Sequence, residues 1–209
     1  MYELNDGVGL ALVDQHPIFL DLKTDRYLSL SPDGAAVLLG AAPATKESPL
    51  FLGLESIGLV KNGPSGLKPC QIAVATGSAP PRKVQFESLS LLLLRLIRAR
   101  LDQRALLKRV TDLKKAGTIA QTKNRDCALS LLGSVETEAK ACRTLLSSTD
   151  KCLPDAFAIA THLRRRGVDA KLVFGVRLPF AAHAWVQVDD IVVGDRPDRI
   201  LAFTPILVV

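Results

Sequence analysis

The hydrophobic period of this chain changes at Gly167, and that change restricts the fold more than any other feature. From Glu87 to Arg166 apolar residues recur at helical spacing. After Gly167 three short runs, residues 170–176, 183–188 and 191–195, are rich in β-branched and aromatic residues and read as strands joined by short turns. Helices followed by consecutive strands predict an α+β domain with helices packed on an antiparallel sheet. In the last helix before the change, Leu153, Ala156, Phe157, Ala160 and Leu163 form one apolar face. Arg164, Arg165 and Arg166 suit the negative end of its dipole, and Gly167 is a stop signal. The helix opens at Cys152-Leu153-Pro154-Asp155, behind the turn and cap formers Ser147-Ser148-Thr149-Asp150. Proline is tolerated in a first turn, where the backbone N–H has no intrahelical partner.

A thiol at a helix start meets unpaired N–H groups and the positive dipole end, which favour thiolate. A lone cysteine is nevertheless more often core than nucleophile, so Cys152 needs partners. His183 and Asp195 follow on the expected strands. A three-residue hairpin loop, Val188-Asp189-Asp190, would pair Gln187 with Ile191 and set His183 directly opposite Asp195, with Cβ atoms about 4.5–5.5 Å apart. A two-residue loop would shift the register by one and send the two side chains to opposite faces. The three-residue loop is the expectation, with Asp190 in the left-handed position that Asp tolerates. Cys152, His183 and Asp195 then read as nucleophile, base and orienting carboxylate. Plainer roles compete: a core histidine beside Trp185, and a turn aspartate before Arg196-Pro197. His162 lies ten residues beyond Cys152, too far along the helix at about 1.5 Å per residue to be its base. Asp150 and Asp155 suit the helix dipole.

Upstream, residues 8–14, 17–22 and 26–30 read as a three-strand meander. Ser31-Pro32-Asp33 starts a short apolar helix over Gly34 to Ala42, ended by Pro43; a second spans Glu47 to Val60, and residues 70–75 suit a returning wing strand. This part holds no polar cluster suited to catalysis, and an exposed sheet edge can accept an extended peptide as an added strand. Gly77-Ser78-Ala79-Pro80-Pro81-Arg82-Lys83 is the clearest linker. The expected organisation is a recognition domain over 1–78, a linker over 79–86 and the α+β domain over 87–209. Within the latter, Glu87 to Lys115 reads as one long helix ended by Gly117 or the polar run to Lys123, and Cys127 to Leu146 as another, loosened near Gly133-Ser134.

Composition limits the alternatives. The 209 residues are 48% hydrophobic, ample for a core. The longest apolar run, Leu89 to Leu94, is far too short to span a bilayer, and the N-terminus lacks the charged and apolar regions of a secretory signal, so a cytoplasmic protein without a membrane role is expected. The net charge of +6 is concentrated between Arg82 and Arg166 and suits an acidic peptide, nucleic acid or a solvated face. The wing is poor in basic residues and residues 34–60 are apolar, unlike a recognition helix, which argues against nucleic acid. Cys70, Cys127, Cys142 and Cys152 form no C-x-x-C pair, and His16, His162 and His183 lack metal-site spacing, so neither structural zinc nor a disulfide scaffold is expected. No P-loop occurs, and no cofactor is expected.

Cys152-Leu153-Pro154, the run Leu163 to Ala170, Gly175-Val176-Arg177 and the run His183 to Asp189 together resemble the transglutaminase-like leader peptidases of lasso-peptide biosynthesis, the B proteins. The sequence departs from that family at Asp190, where its hairpin usually carries Gly. The resemblance implies a papain- or transglutaminase-like site in which Cys152, His183 and Asp195 take the three roles above. The first half resembles the PqqD-like precursor-recognition domain, a small winged-helix fold, with one helix fewer than usual between Gly40 and Glu47. That likeness implies that a leader peptide adds to the strand near Arg26 to Leu30 and packs on the helix near Pro49 to Leu59, making Tyr27, Leu28, Leu30 and Leu54 candidate leader contacts. The implied partners are the lasso-peptide precursor and an ATP-dependent, asparagine-synthetase-like macrolactam synthetase. The implied activity is cleavage of the leader–core bond. Two other readings stand beside it: a transglutaminase or acyltransferase using the same residues, and a non-catalytic peptide- or DNA-binding protein.

Overall fold

The structure, a computed structural model, describes residues 1–39, 48–116, 125–146 and 151–209, with backbone alone at 125 and 126. The N-terminal part contains β1 (Tyr2–Leu4), β2 (Val8–Val13), β3 (His16–Asp21), β4 (Arg26–Ser29), α1 (Pro32–Leu38), α2 (Pro49–Ser56) and β5 (Val60–Asn62). A two-residue strand, β6 (Gly77–Ser78), leads into four helices: α3 (Phe86–Leu101), α4 (Leu106–Ala116), α5 (Arg125–Leu145) and α6 (Cys152–Arg164). The chain then becomes extended, through β7 (Lys171–Arg177), β8 (Ala181–Val188) and β9 (Ile191–Val193), a single-turn helix α7 (Pro197–Ile200) and β10 (Thr204–Val208). The period change at Gly167, which sits at φ +80, is thus where the helical layer gives way to the sheet.

The large sheet has the order β10-β7-β8-β9-β6, antiparallel except for the β6–β9 pair. Alternation along its strands divides its residues between two cores. Leu172, Phe174, Val186 and Val193 join Leu92, Leu132, Val135, Phe157 and Leu163 of the helices. Val173, Trp185 and Val192 instead pack with Ala75 and Ile200. The meander β2-β3-β4 is also split by its period of two. Ala11, Val13, Ile18, Leu20 and Leu22 enter the main core, whereas Val8, Leu10 and Phe19 pack with Tyr2, Leu54, Leu59 and Val60. Where β2 crosses β10 the backbones nearly touch. A Cβ at Gly9 would lie 2.4 Å from the Ile206 carbonyl oxygen, so only glycine fits there.

Several expectations are corrected. Gly77 and Ser78 do not belong to a free linker; they pair in parallel with Ile191 and Val192, and Ala79 is buried in the main core. The Asp190 carboxylate holds this edge, accepting from the Thr76 backbone N–H at 2.9 Å and from its hydroxyl. Residues 70–75 are not a wing strand. They cross to the large sheet, where Gln187 donates to the Ala73 carbonyl (3.0 Å) and accepts from the Ala75 N–H (3.4 Å). The expected helix over Glu87 to Lys115 breaks at Asp102, whose backbone is extended and whose carboxylate accepts from the Arg104 N–H at 3.0 Å, a local bond that competes with helix continuation. The next helix, α5, runs unbroken through Gly133 and Ser134.

The hairpin β8–β9 has the two-residue turn, Asp189-Asp190, not the three-residue loop: Val188 pairs with Ile191 and Gln187 with Val192. Asp189, at φ +50, takes the left-handed position assigned above to Asp190. The strands β1, β5 and β10 were not anticipated. Ala41 to Pro43, the missing-helix region between Gly40 and Glu47, the run Gly117 to Lys123 and the cap cluster Ser147 to Asp150 lie outside the described residues.

Candidate active site

Cys152 is the first residue of α6, after Lys151, which makes no side-chain cap. One turn on, Asp155 is buried and receives both arms of Arg100 from α3, Nε on Oδ1 and Nη2 on Oδ2, each at 2.8 Å. This two-point bond fixes the start of α6 against α3. Asp155 is therefore a structural anchor as well as a first-turn acid, and Arg100 is a supporting residue that sequence spacing did not single out.

The two-residue turn makes His183 and Asp195 a problem of geometry. In this register a straight β9 would carry Asp195 opposite Ala184, on the other face from His183. The strand stops at Val193 instead, and Gly194 takes φ +73, a left-handed conformation that redirects the next side chain. Buried Glu136 of α5 holds the bend, accepting from the Gly194 N–H at 2.5 Å. Asp195 Oδ2 then lies 2.6 Å from His183 Nε2, and its Oδ1 accepts from the Arg196 N–H at 2.8 Å. With Nε2 committed to Asp195, Nδ1 is the imidazole nitrogen left for the Cys152 sulfur, which lines the same cleft.

The electrostatics favour an ion pair. Burial pushes the Cys152 thiol up, but the His183 hydrogen bond, the Ala184 N–H, the imidazolium charge and the Leu153 N–H together bring it below the ordinary thiol value. Burial depresses His183, yet bonds to Asp195 and Cys152 raise it to about 9. Burial opposes ionisation of Asp195 too, but bonds from His183 and from the Arg196 N–H hold it below the usual carboxylate range. The imidazole centroid is 5.2 Å from Phe203 and 6.3 Å from Trp185, so aromatic surfaces bound the ring. Cys152, His183 and Asp195 share one cleft of ≈ 420 Å³ whose rim carries Arg143, Arg196 and Arg199. Among the described residues no His, Cys, Asp and Glu cluster is arranged to hold a metal ion.

The structure thus brings Cys152, His183 and Asp195 together, and puts His162 elsewhere. His162 is buried near Glu138 and Ser88, and burial lowers its pKa to about 3, so it is a neutral core histidine. The candidate leader contacts divide. Tyr27, on edge strand β4, meets Phe180 edge-on with centroids 5.4 Å apart. Its phenol is pushed up to about 12 by burial and by the charges of Asp25 and Cys152. Leu28 and Leu30 are half-buried over the second core. Leu54 lies inside that core at 4% exposure and presents no surface to a peptide. Glu136, Arg100 and Phe203 support the site through tertiary contacts, which local sequence patterns do not encode.

A cysteine at a helix start thus shares a cleft with a strand histidine that is itself held by a carboxylate, in a fold of helices packed on an antiparallel sheet. The transglutaminase-like superfamily matches residues 90–208, and the chain belongs to it. A stretch of 48 residues is 44% identical to the microcin J25-processing protein McjB of Escherichia coli, covering 22% of this chain and 23% of that protein. The likeness therefore extends over about a quarter of each. No solved structure matches. No described helix is long and apolar enough to cross a membrane.

Proposed function

We propose that this protein is a cysteine peptidase that binds the leader of a lasso-peptide precursor and hydrolyses the leader–core bond. The observation that carries the reading is the Cys152–His183–Asp195 array in a single cleft. The Cys152 thiolate attacks the carbonyl before the core, and the Cys152 N–H at the helix start is the proposed donor to the developing oxyanion. His183 imidazolium gives its proton to the departing core amine, leaving the leader as a thioester. Neutral His183 then takes a proton from water, whose hydroxide displaces the thiolate and releases the leader acid. Asp195 holds the imidazole orientation and stabilises its charged form. The freed amine is the nucleophile that an asparagine-synthetase-like partner closes onto an acidic side chain.

The PqqD-like reading of residues 1–78 completes the proposal. A leader strand adds to the edge of β4 that no strand among the described residues covers, and Tyr27 lies where that edge approaches the charge of Cys152. Likeness to a protein named for processing microcin J25 supports the substrate class. Acyl transfer is the second reading, because membership of the transglutaminase-like superfamily is compatible with passing the thioester to an amine. The test is incubation with a synthetic lasso-peptide precursor, leader and core in one chain, followed by mass spectrometry. Hydrolysis gives two fragments; transfer gives a joined product. Cys152→Ala is expected to abolish cleavage while retaining leader binding, and normal turnover by that variant would end the proposal.

A further inference from the structure

A second concavity, of ≈ 780 Å³, lies between α3, α4 and α6 and uses none of the candidate catalytic side chains. Its wall on α3 exposes Leu91, Leu94 and Leu101 at 48%, 43% and 74%. Beside these leucines stand Arg95, Arg98 and Arg165. Among the described residues no carboxylate pairs with any of the three; Arg95 donates to the Thr161 carbonyl at 3.1 Å. At the other end Arg104 and Arg109 are occupied by Asp102 and Asp112. Positive charge therefore accumulates along the half that carries Leu91 and Leu94. Burial, followed by Arg165 and Arg166, depresses Arg95, as expected for cations crowded without a counter-charge.

We infer that this groove docks an acidic amphipathic helix of a partner protein, leucine-like side chains inward and carboxylates on Arg95, Arg98 and Arg165. The span from Leu91 to Leu101 is about 15 Å of helix, room for three turns of a partner helix. Exposed leucines beside arginines that no carboxylate among the described residues neutralises call for both apolar and acidic groups, which an acidic amphipathic helix presents together. A second copy of the chain would set arginine against arginine. Nucleic acid would satisfy the arginines and leave the leucines without partners. A concave surface does not fit a flat bilayer. Arg165 lies at the opposite end of α6 from Cys152, about 20 Å along the axis, so a docked partner leaves the cleft open. This surface stands independently of the peptidase reading.

The test uses a labelled synthetic helix of three to four turns, with leucine at i, i+3, i+4 and i+7 and glutamate elsewhere, titrated with the full chain and followed by fluorescence anisotropy. Saturable, salt-sensitive binding is expected. The charge reversal R98E/R165E and, separately, Leu94→Ser are each expected to weaken it at least about tenfold, as is exchange of the peptide's glutamates for glutamines. These positions are on the surface, so circular dichroism and the alkylation rate of Cys152 should match the wild type. Equal affinity of wild type and variants overturns the inference. So does tighter binding of duplex DNA or of phosphatidylserine vesicles that the same variants lose, or a dimer that Leu94→Ser dissociates.

Discussion

Gly194 is the residue on which the candidate site turns. At φ +73 an L side chain costs about 1–2 kcal/mol, and the Cβ of alanine would lie 2.3 Å from the Ile159 side chain. Gly194→Ala is expected to lower stability by about that amount and to cut turnover at least about tenfold by displacing Asp195; thermal unfolding and initial rates measure the two effects. The pH dependence follows from the same trio. His183 is raised in the folded state, so its stabilising contribution is complete below its ordinary value near 6.5 and is lost as pH rises through about 9. Cys152 is lowered, so its contribution is lost as pH falls through the depressed thiol value. Turnover should therefore hold between these limits and fall on the alkaline side near 9. In Asp195→Ala the main support for the imidazolium is gone, and that alkaline limb should move to lower pH. An unmoved limb would show that His183 does not depend on this carboxylate.

At the scale of elements, α6 is held at its Cys152 end by the Arg100–Asp155 pair and at its other end by Arg164. The Arg164 guanidinium donates to the carbonyls of Ala170, Leu113 and Val209 at 2.7, 2.9 and 2.7 Å. Arg100→Met removes one partner and leaves Asp155 a part-buried unpaired charge. A loss of about 3 kcal/mol is expected in denaturant unfolding, with slower alkylation of Cys152 as its helix start loosens. The hairpin shows how far local reading reaches. Both strands and the chemistry at their ends follow from alternation and residue type. The turn does not, because Asp189 and Asp190 permit either loop length. A parallel strand from residues 77–78, bonded through Asp190, engages the end of β9 and accompanies the tighter turn. The geometry expected from the three-residue loop was therefore reached by another route, a strand end bent at Gly194.

Across the whole molecule, the division into a recognition unit over 1–78 and a catalytic unit over 87–209 describes proposed roles better than independent folding. One core joins Ala11, Ile18 and Leu20 of the meander to Leu92, Phe157 and Ile206, and β6 supplies an edge of the five-stranded sheet. A fragment of residues 87–209 is expected to unfold at lower temperature than the full chain and to expose apolar surface to a hydrophobic dye, because removing the meander uncovers β10. Unchanged melting would instead favour two independent domains. The sequence by itself determined the helix-to-strand order, the helix start at Cys152 and the chemical identities of thiol, imidazole and carboxylate, since each depends on neighbours a few residues away. Only the tertiary structure decided the register of the hairpin, the bend that aims Asp195, the part of Arg100 and Glu136, and the fusion of the two halves. Those depend on contacts between residues tens of positions apart, where spacing along the chain carries no signal.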